Sequence, residues 1–345
     1  MATGRHAGEN GAGGMILGLC AAIVVAAALF FAQSIIVPIA FALFIIALVW
    51  PMQRRLAGFV PAGLAMLVTM LTALVTLVAM ALLIAWAFGG VGQWVVANSA
   101  HLQSLYAAKL AFLESQGIAV AGVFAENFNT RWLVLIAQEV TGRLHGILSF
   151  TVVTIVFLVL GLLEVEVVGR QMARMRLGPP LLVAAAETSA KLRTYMLVRT
   201  LMSVVTGVCV WAFARLMGLD LAAEWGIIAF VLNYIPFIGP LVATLFPTIF
   251  AILQFADWQT ALIVFISLNL IQTISGSYIE PVLAGARLAV SSFMVLLAVF
   301  FGAFLWGIPG AFIGVPAMIA ALTLCQQFEG SRWVATLLSG RDPGQ

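Results

Sequence analysis

Asn269, Gln272, Ser275 and Glu280 stand out in an otherwise apolar stretch, recurring at near-helical spacing and ending against Pro281. On a helix the first three fall along one approximate face, so two amides and a hydroxyl lead to a carboxylate. Such a stripe can hydrogen-bond a polyhydroxylated solute or hold a cation. An acidic group at the bilayer centre costs roughly 2.5–3.5 kcal/mol on insertion scales, so it tends to line a cavity or find a partner. The plainer account is a helix end at the membrane interface, where Glu280 costs little.

A second constellation lies in 225–240, WGIIAFVLNYIPFIGP. Pro236 removes a backbone donor, clashes with the preceding turn and disfavours helical geometry at Ile235, and Gly239-Pro240 repeat the break. In lipid each freed backbone group costs several kcal/mol unless protein or a wet cavity satisfies it, and transporters build solute and ion sites at such interruptions. Asn233 lies beside the break, where free carbonyls and amide dipoles would meet a ligand. With Pro236, Gly239, Pro240, Asn269, Gln272 and Glu280 it makes up the expected solute or ion pathway. Tyr234 and Tyr278 add hydroxyls, although interface anchoring is their commoner use. Glu224, near a helix start, reads as structural. Gly302, Gly307, Pro309, Gly310 and Gly314 form a late set expected to allow close helix packing or a hinge.

Several chemistries are argued against. The chain has no G-x-x-x-x-G-K-S/T phosphate loop, no H-E-x-x-H and no G-x-S-x-G, and His6, His101 and His145 all fall outside the expected spans. Nucleotide hydrolysis, intramembrane metalloprotease and serine hydrolase chemistry have no residues to carry them. No catalytic residue, metal or cofactor is expected, and solute movement would be downhill or coupled to a proton or cation gradient. Cys20, Cys209 and Cys325 lie within apolar runs without paired spacing and read as small buried hydrophobes.

The elements that must carry these residues follow from composition. The chain is 63% hydrophobic and 8% charged, against roughly 25% charged in a soluble domain. Repeated apolar runs near the ~20 residues needed to cross a bilayer predict an all-α polytopic membrane protein. A net charge of +3 implies no nucleic-acid partner here, because the basic residues fall mostly in short inter-helix loops and act as topology signals. A cleavable signal competes for 14–31, but the next run, 35–50, follows too closely.

The expected organisation is a disordered tail over 1–14, three transmembrane helices within 15–88, and a pair of extracytoplasmic amphipathic helices within 89–145. The pair carries one stripe at Leu102, Leu105, Tyr106, Lys109, Leu110 and Leu113 and another at Trp132, Leu133, Ile136 and Val140. Gly89-Gly90 is read as the end of the third helix. A core region over 146–330 follows, with a cytoplasmic helix at 183–199 and a re-entrant hairpin at 222–254, then a cytoplasmic tail over 331–345. Lys191, Arg193 and Arg199 are read as part of a basic collar facing anionic lipid. Treating 222–254 as a hairpin puts twelve Lys/Arg inside and four outside, which the positive-inside rule prefers to a single crossing. Parity does not separate a re-entrant hairpin from two crossings. The apolar run 291–328 is cut at Gly307-Ile308-Pro309-Gly310 into two helices, giving about eight spans in all.

The segments KLRTYMLVRTLMS, WGIIAFVLNYIPFIGP, YIEPVLAGARL and WGIPGAFIGVPAMIA, in that order, resemble the autoinducer-2 exporter family across essentially the whole chain, most specifically over 190–325. The resemblance implies a multi-pass secondary transporter of the bacterial inner membrane, with membrane lipid around it and homo-oligomeric assembly, while the inside placement of Arg5, Arg332 and Arg341 puts both termini in the cytoplasm. It implies export of a small polar solute, the furanosyl quorum signal, and for other members sodium or lithium exchange for protons. The chain departs from relatives that carry a His-Pro after the EP segment, having Val290-Ser291 instead. A solute exporter, a cation/proton antiporter titrating at Glu280, and an oligomeric scaffold or passive pore are the three readings carried forward.

Overall fold

The computed structural model describes residues 6–104, 107, 130–255, 257–280 and 291–338, and no strand occurs among them. The helices are α1 (His6–Phe31), α2 (Gln33–Leu56), α3 (Ala62–Ala97), α4 (Thr130–Ala173), α5 (Gly178–Leu216), α6 (Ala222–Leu232), α7 (Ile238–Phe255), α8 (Trp258–Thr273), α9 (Ser292–Gln327) and α10 (Arg332–Leu338). A π-helical turn, Ile274–Ile279, extends α8. Among the described residues seven stretches are long and apolar enough to cross a membrane, which makes this an all-α polytopic membrane protein. Their outward faces carry exposed apolar side chains at helical spacing, such as Leu67, Leu71 and Val75 of α3 and Val152, Val156, Leu160 and Leu163 of α4. That is the pattern of a lipid-facing surface.

The hub is α5, which packs against α2, α4, α6, α8 and α9. Its 39 residues rise ~58 Å, about twice the thickness of a hydrocarbon core. Two hydrophobic clusters gather at different levels along it. One joins Val210 and Ala214 to Trp225, Ile228 and Phe250, and the other joins Leu192 and Tyr195 to Phe44, Ile235, Val299 and Ile319. Lipid is as apolar as leucine, so close backbone approach rather than escape from water must hold such helices together. At the α5–α6 contact a Cβ on Gly207 would stand 2.8 Å from the Gly226 carbonyl oxygen; only paired glycines fit.

α5 ends in a Schellman turn. Gly218 adopts φ +68 and donates to the Arg215 carbonyl, while the Leu219 amide reaches back to the Ala214 carbonyl at 2.9 Å. The chain then folds into the antiparallel pair α6–α7. Its base is clasped where Gln254 accepts from the Asp220 amide at 2.8 Å and donates to the Gly218 carbonyl at 2.9 Å, and its tip at 233–237 lies against the middle of α5. Asp257 caps α8, accepting from the amides of Gln259 and Thr260.

A second hairpin is made by α9, which folds back at Gly307 (φ 63, ψ −141). Gly302 and Gly310 face each other so closely that a Cβ on either would strike the other's carbonyl, and one on Gly314 would strike that of Ala298. Its base is fixed to the N-terminal part of α5 by Lys191, which donates to Thr323 and Gln326 at 3.1 Å each. The two hairpins therefore enter from opposite ends of α5. Their apolar flanks meet where Tyr234 and Phe312 lie 5.7 Å apart.

Several boundaries differ from expectation. The tail expected to be disordered over 1–14 is helical from His6. Gly89-Gly90 does not end α3, because a glycine inside a helix costs only ~1 kcal/mol; Gly90 instead leaves room for the Glu224 side chain, 3.1 Å from where a Cβ would be. The second amphipathic helix and the span after it are one helix, α4, and the expected cytoplasmic helix 183–199 is the first half of α5. No proline interrupts either junction, so nothing stops the helix there. Lys109, Leu110 and Leu113 of the first stripe, with Leu105 and Tyr106, lie outside the described residues. The apolar part of α1, Cys20–Phe31, is shorter than the seven spans.

Candidate functional site

Between the two hydrophobic clusters α5 carries a polar band. Tyr195, Arg199, Ser203 and Thr206 recur at helical spacing on one face, with Thr200 beside them. Arg199 lies 16 residues, ~24 Å, before Arg215, so it sits within or at the edge of a ~30 Å hydrocarbon layer. At that depth its charge needs a partner, and it has one. The guanidinium forks onto Glu280, Nη1 donating to Oε2 and Nη2 to Oε1 at 3.1 Å each. The side chains are 12% and 26% exposed. The Tyr195 ring lies under the guanidinium at 5.7 Å. Arg199 Nε and the Thr206 hydroxyl are buried with no hydrogen-bond partner among the described residues.

The π-helical turn aims Glu280. Asn269 faces outward from α8, and an uninterrupted α-helix would have carried the carboxylate along near the same side. The wider turn over 274–279 shifts the phase and delivers it to α5 instead. Ser275, buried on the inner side, bonds back to the Ile271 carbonyl at 2.5 Å.

One turn along α5 from Arg199, the Asn233 amide donates to Ser203 Oγ at 3.3 Å and the Tyr234 hydroxyl donates to Thr200 Oγ1 at 3.0 Å. Asn233 and Glu280 thus meet the same helix but not each other. The broken backbone between α6 and α7 closes largely on itself. Amides of Asn233, Ile235, Ile238 and Gly239 donate to the carbonyls of Ala229, Leu232, Pro236 and Ile235 at 2.7–3.0 Å. These amides are therefore not free to meet a ligand, against the sequence expectation, because short-range turn bonds satisfy them once Pro236 ends α6. Phe237 takes φ 63 to make that turn. Pro236 and Gly239 are buried, Gly239 against the Leu232 carbonyl. Pro240 adds no second break; it lies in the first turn of α7, where its missing N–H would be unpaired anyway.

Pro240, Asn269 and Gln272 come together elsewhere, in an open groove of about 340 Å³ between α7 and α8 that Thr244, Thr273 and Ser277 also line. Asn269 bonds only to its own helix, at the Phe265 carbonyl. The Gln272 Nε2 is buried and makes no hydrogen bond among the described residues. Pro309 of the second hairpin lines a separate cleft of about 300 Å³ with Gln33, Ser34, Pro38 and Trp306. Tyr278 is exposed.

The expected pathway residues therefore divide between contacts on α5, the Arg199–Glu280 clasp among them, and the groove between α7 and α8, with Pro309 of the hinge set in a third place. Sequence reasoning missed the α5 side of the clasp. Arg199 and Lys191 were expected in a lipid-facing collar, yet both turn inward to side-chain partners. The spacing of Tyr195, Arg199, Ser203 and Thr206 was the available signal.

The family model for AI-2E family transporters matches residues 19–330. Over 323 residues the chain is 27% identical to the AI-2 transport protein TqsA of Escherichia coli strain K12, spanning 92% of this chain and 93% of that protein. It is 27% identical over 339 residues to a putative transport protein of Haemophilus influenzae, 94% of this chain and 95% of that one. With a putative transport protein of Borreliella burgdorferi it shares 32% identity over 149 residues, 43% and 41% of the two chains.

Proposed function

The chain belongs to the AI-2E family of transporters, and from that premise we propose that it is a secondary carrier exporting a small polar solute by alternating access. The polar groove between α7 and α8 is its solute surface. The observation that carries the reading is Gln272, whose buried Nε2 has no partner among the described residues in a groove otherwise open to occupation. A buried donor left unsatisfied costs ~1–3 kcal/mol, and a ligand oxygen removes that cost. Asn269, Thr244, Thr273 and Ser277 add donors and acceptors on the same walls. A volume of about 340 Å³ suits a solute at the small end of the ~300–1,000 Å³ range of ligand sites.

An autoinducer-2-like signal is the first candidate, since TqsA is named for AI-2. The resemblance supports placement in the bacterial inner membrane and a homo-oligomer, and the Lys/Arg distribution supports both termini in the cytoplasm. In that scheme the α6–α7 hairpin is re-entrant: α6, at 11 residues, rises only ~16 Å and is too short to cross alone. Movement is either facilitated or driven by an ion gradient. The cation/proton antiporter reading stands second, because the carboxylate it needs at Glu280 already holds a guanidinium.

Uptake of labelled autoinducer-2 and of related small polyols into proteoliposomes of the purified protein tests the proposal. Saturable, counterflow-stimulated uptake that Gln272→Ala weakens is expected. Solute-independent sodium/proton exchange would support the antiporter instead, and no flux from intact protein would support the scaffold.

A further inference from the structure

We infer that Arg199 is a tethered cation, occupying at Glu280 the position a monovalent ion would take, so that solute moves without sodium or lithium bound to that carboxylate. The inference rests on the carrier reading for its consequence but on the clasp alone for its chemistry. Both Glu280 oxygens are engaged by one guanidinium, two nitrogens to two oxygens at 3.1 Å. That fork matches a carboxylate in shape and charge. The electron-rich face of Tyr195 lies on the same guanidinium and adds to the attraction for a cation at this point.

Among the described residues Glu280 is the guanidinium's one ion-pair partner, with the Tyr195 ring packed on it. Its Nε is buried and unpartnered, and no second acid makes an ion pair with it. It is held where it is by Glu280. The carboxylate, for its part, is aimed at α5 by a π-helical turn rather than by continuing along α8. Take away the guanidinium and what remains is a partly buried carboxylate, a hard oxygen ligand of the kind that hard cations prefer.

The test is binding of radioactive sodium to the purified full-length protein in detergent, which requires no solute. Wild type is expected to bind none specifically. Arg199→Ala is expected to bind sodium saturably, Arg199→Ala/Glu280→Gln to lose that binding, and Arg199→Lys to behave as wild type. Arg199→Gln, of similar length, repeats the experiment should the alanine variant fail to stay monodisperse. In proteoliposomes, wild-type uptake is expected to be unchanged when sodium is replaced by choline, whereas uptake by Arg199→Ala rises about tenfold on adding sodium, one decade in an apparent binding constant. Sodium binding by wild type that Glu280→Gln abolishes would overturn the inference, as would a folded Arg199 variant that binds none. Absence of solute uptake in wild type would overturn the carrier reading and leave the binding result to decide this one.

Discussion

Gly310→Ala is the sharpest probe of how the second hairpin is built. A methyl at Gly310 would collide with the backbone carbonyl of Gly302 and stand 2.9 Å from the Trp306 Cβ. Overpacking in a well-filled interior costs ~1–3 kcal/mol even when side chains can yield. Here the obstruction is backbone on the facing arm, so the arms must part and the cost belongs at or above the top of that range. Gly307→Ala separates strain from contact. Nothing stands within 4 Å of a Cβ there, yet φ is +63, so only the ~1–3 kcal/mol of an unfavourable backbone region applies. Gly92→Ala in α3 meets nothing within 4 Å and has no left-handed φ, so it should be neutral or gain up to ~1 kcal/mol of helix propensity. Melting of the three purified variants in one detergent, followed by fluorescence-detected gel filtration, should rank Gly310→Ala below Gly307→Ala and Gly92→Ala highest. A Gly310→Ala protein as heat-resistant as wild type would refute the close approach of the two arms. If Gly307 works as a hinge, its variant should lose uptake out of proportion to its lost stability.

Gln272→Leu should leave stability unchanged or raise it by about 1 kcal/mol, since it removes an unsatisfied buried donor, while lowering the apparent affinity for solute; loss of stability without a change in uptake would count against the groove. Phe237 is a non-glycine residue at φ 63 with its side chain 51% exposed, so Phe237→Val should destabilise by about 1–2 kcal/mol through backbone strain alone, and Phe237→Gly should not; equal melting of the two variants would refute this.

Much of the architecture was legible in the residues because the signals were local. Pro236 and the run Gly307-Ile308-Pro309-Gly310 mark the two interruptions directly, and apolar runs of spanning length mark the rest. The continuity of α5 was not legible. Its charges fall where loop charges would, and a run that switches from polar to apolar at Arg199 reads as two elements unless a breaker is demanded between them. The partner of Glu280 lies 81 positions away, beyond any periodicity within one helix. The π-helical turn has no composition of its own; ISGSYI could as well be an ordinary turn of α8. On an uninterrupted α-helix, Asn269, Gln272 and Glu280 would lie along one approximate face. With the π-helical turn, the carboxylate reaches Arg199 on α5 while Asn269 and Gln272 line the groove against α7.

The bonds that tie the polar band of α5 to its surroundings are unequal, and that inequality orders what can move. The hairpin tip is attached by two neutral bonds, Asn233 to Ser203 and Tyr234 to Thr200, each worth about 0.5–1.5 kcal/mol net. α8 is attached by a forked ion pair at 3.1 Å. Breaking such a pair, when buried, leaves both charges without partners and costs about 3–5 kcal/mol, less here because Glu280 is 26% exposed. The tip backbone is already satisfied by its own turn bonds, so lifting it from α5 exposes few further orphan groups. Separation at the tip is therefore expected before separation at the clasp. Cysteine placed at Ile235 should react with a water-soluble thiol reagent faster than cysteine placed at Ser275, both positions being buried. The reverse order would mean that the ion pair, not the tip, is the part that opens.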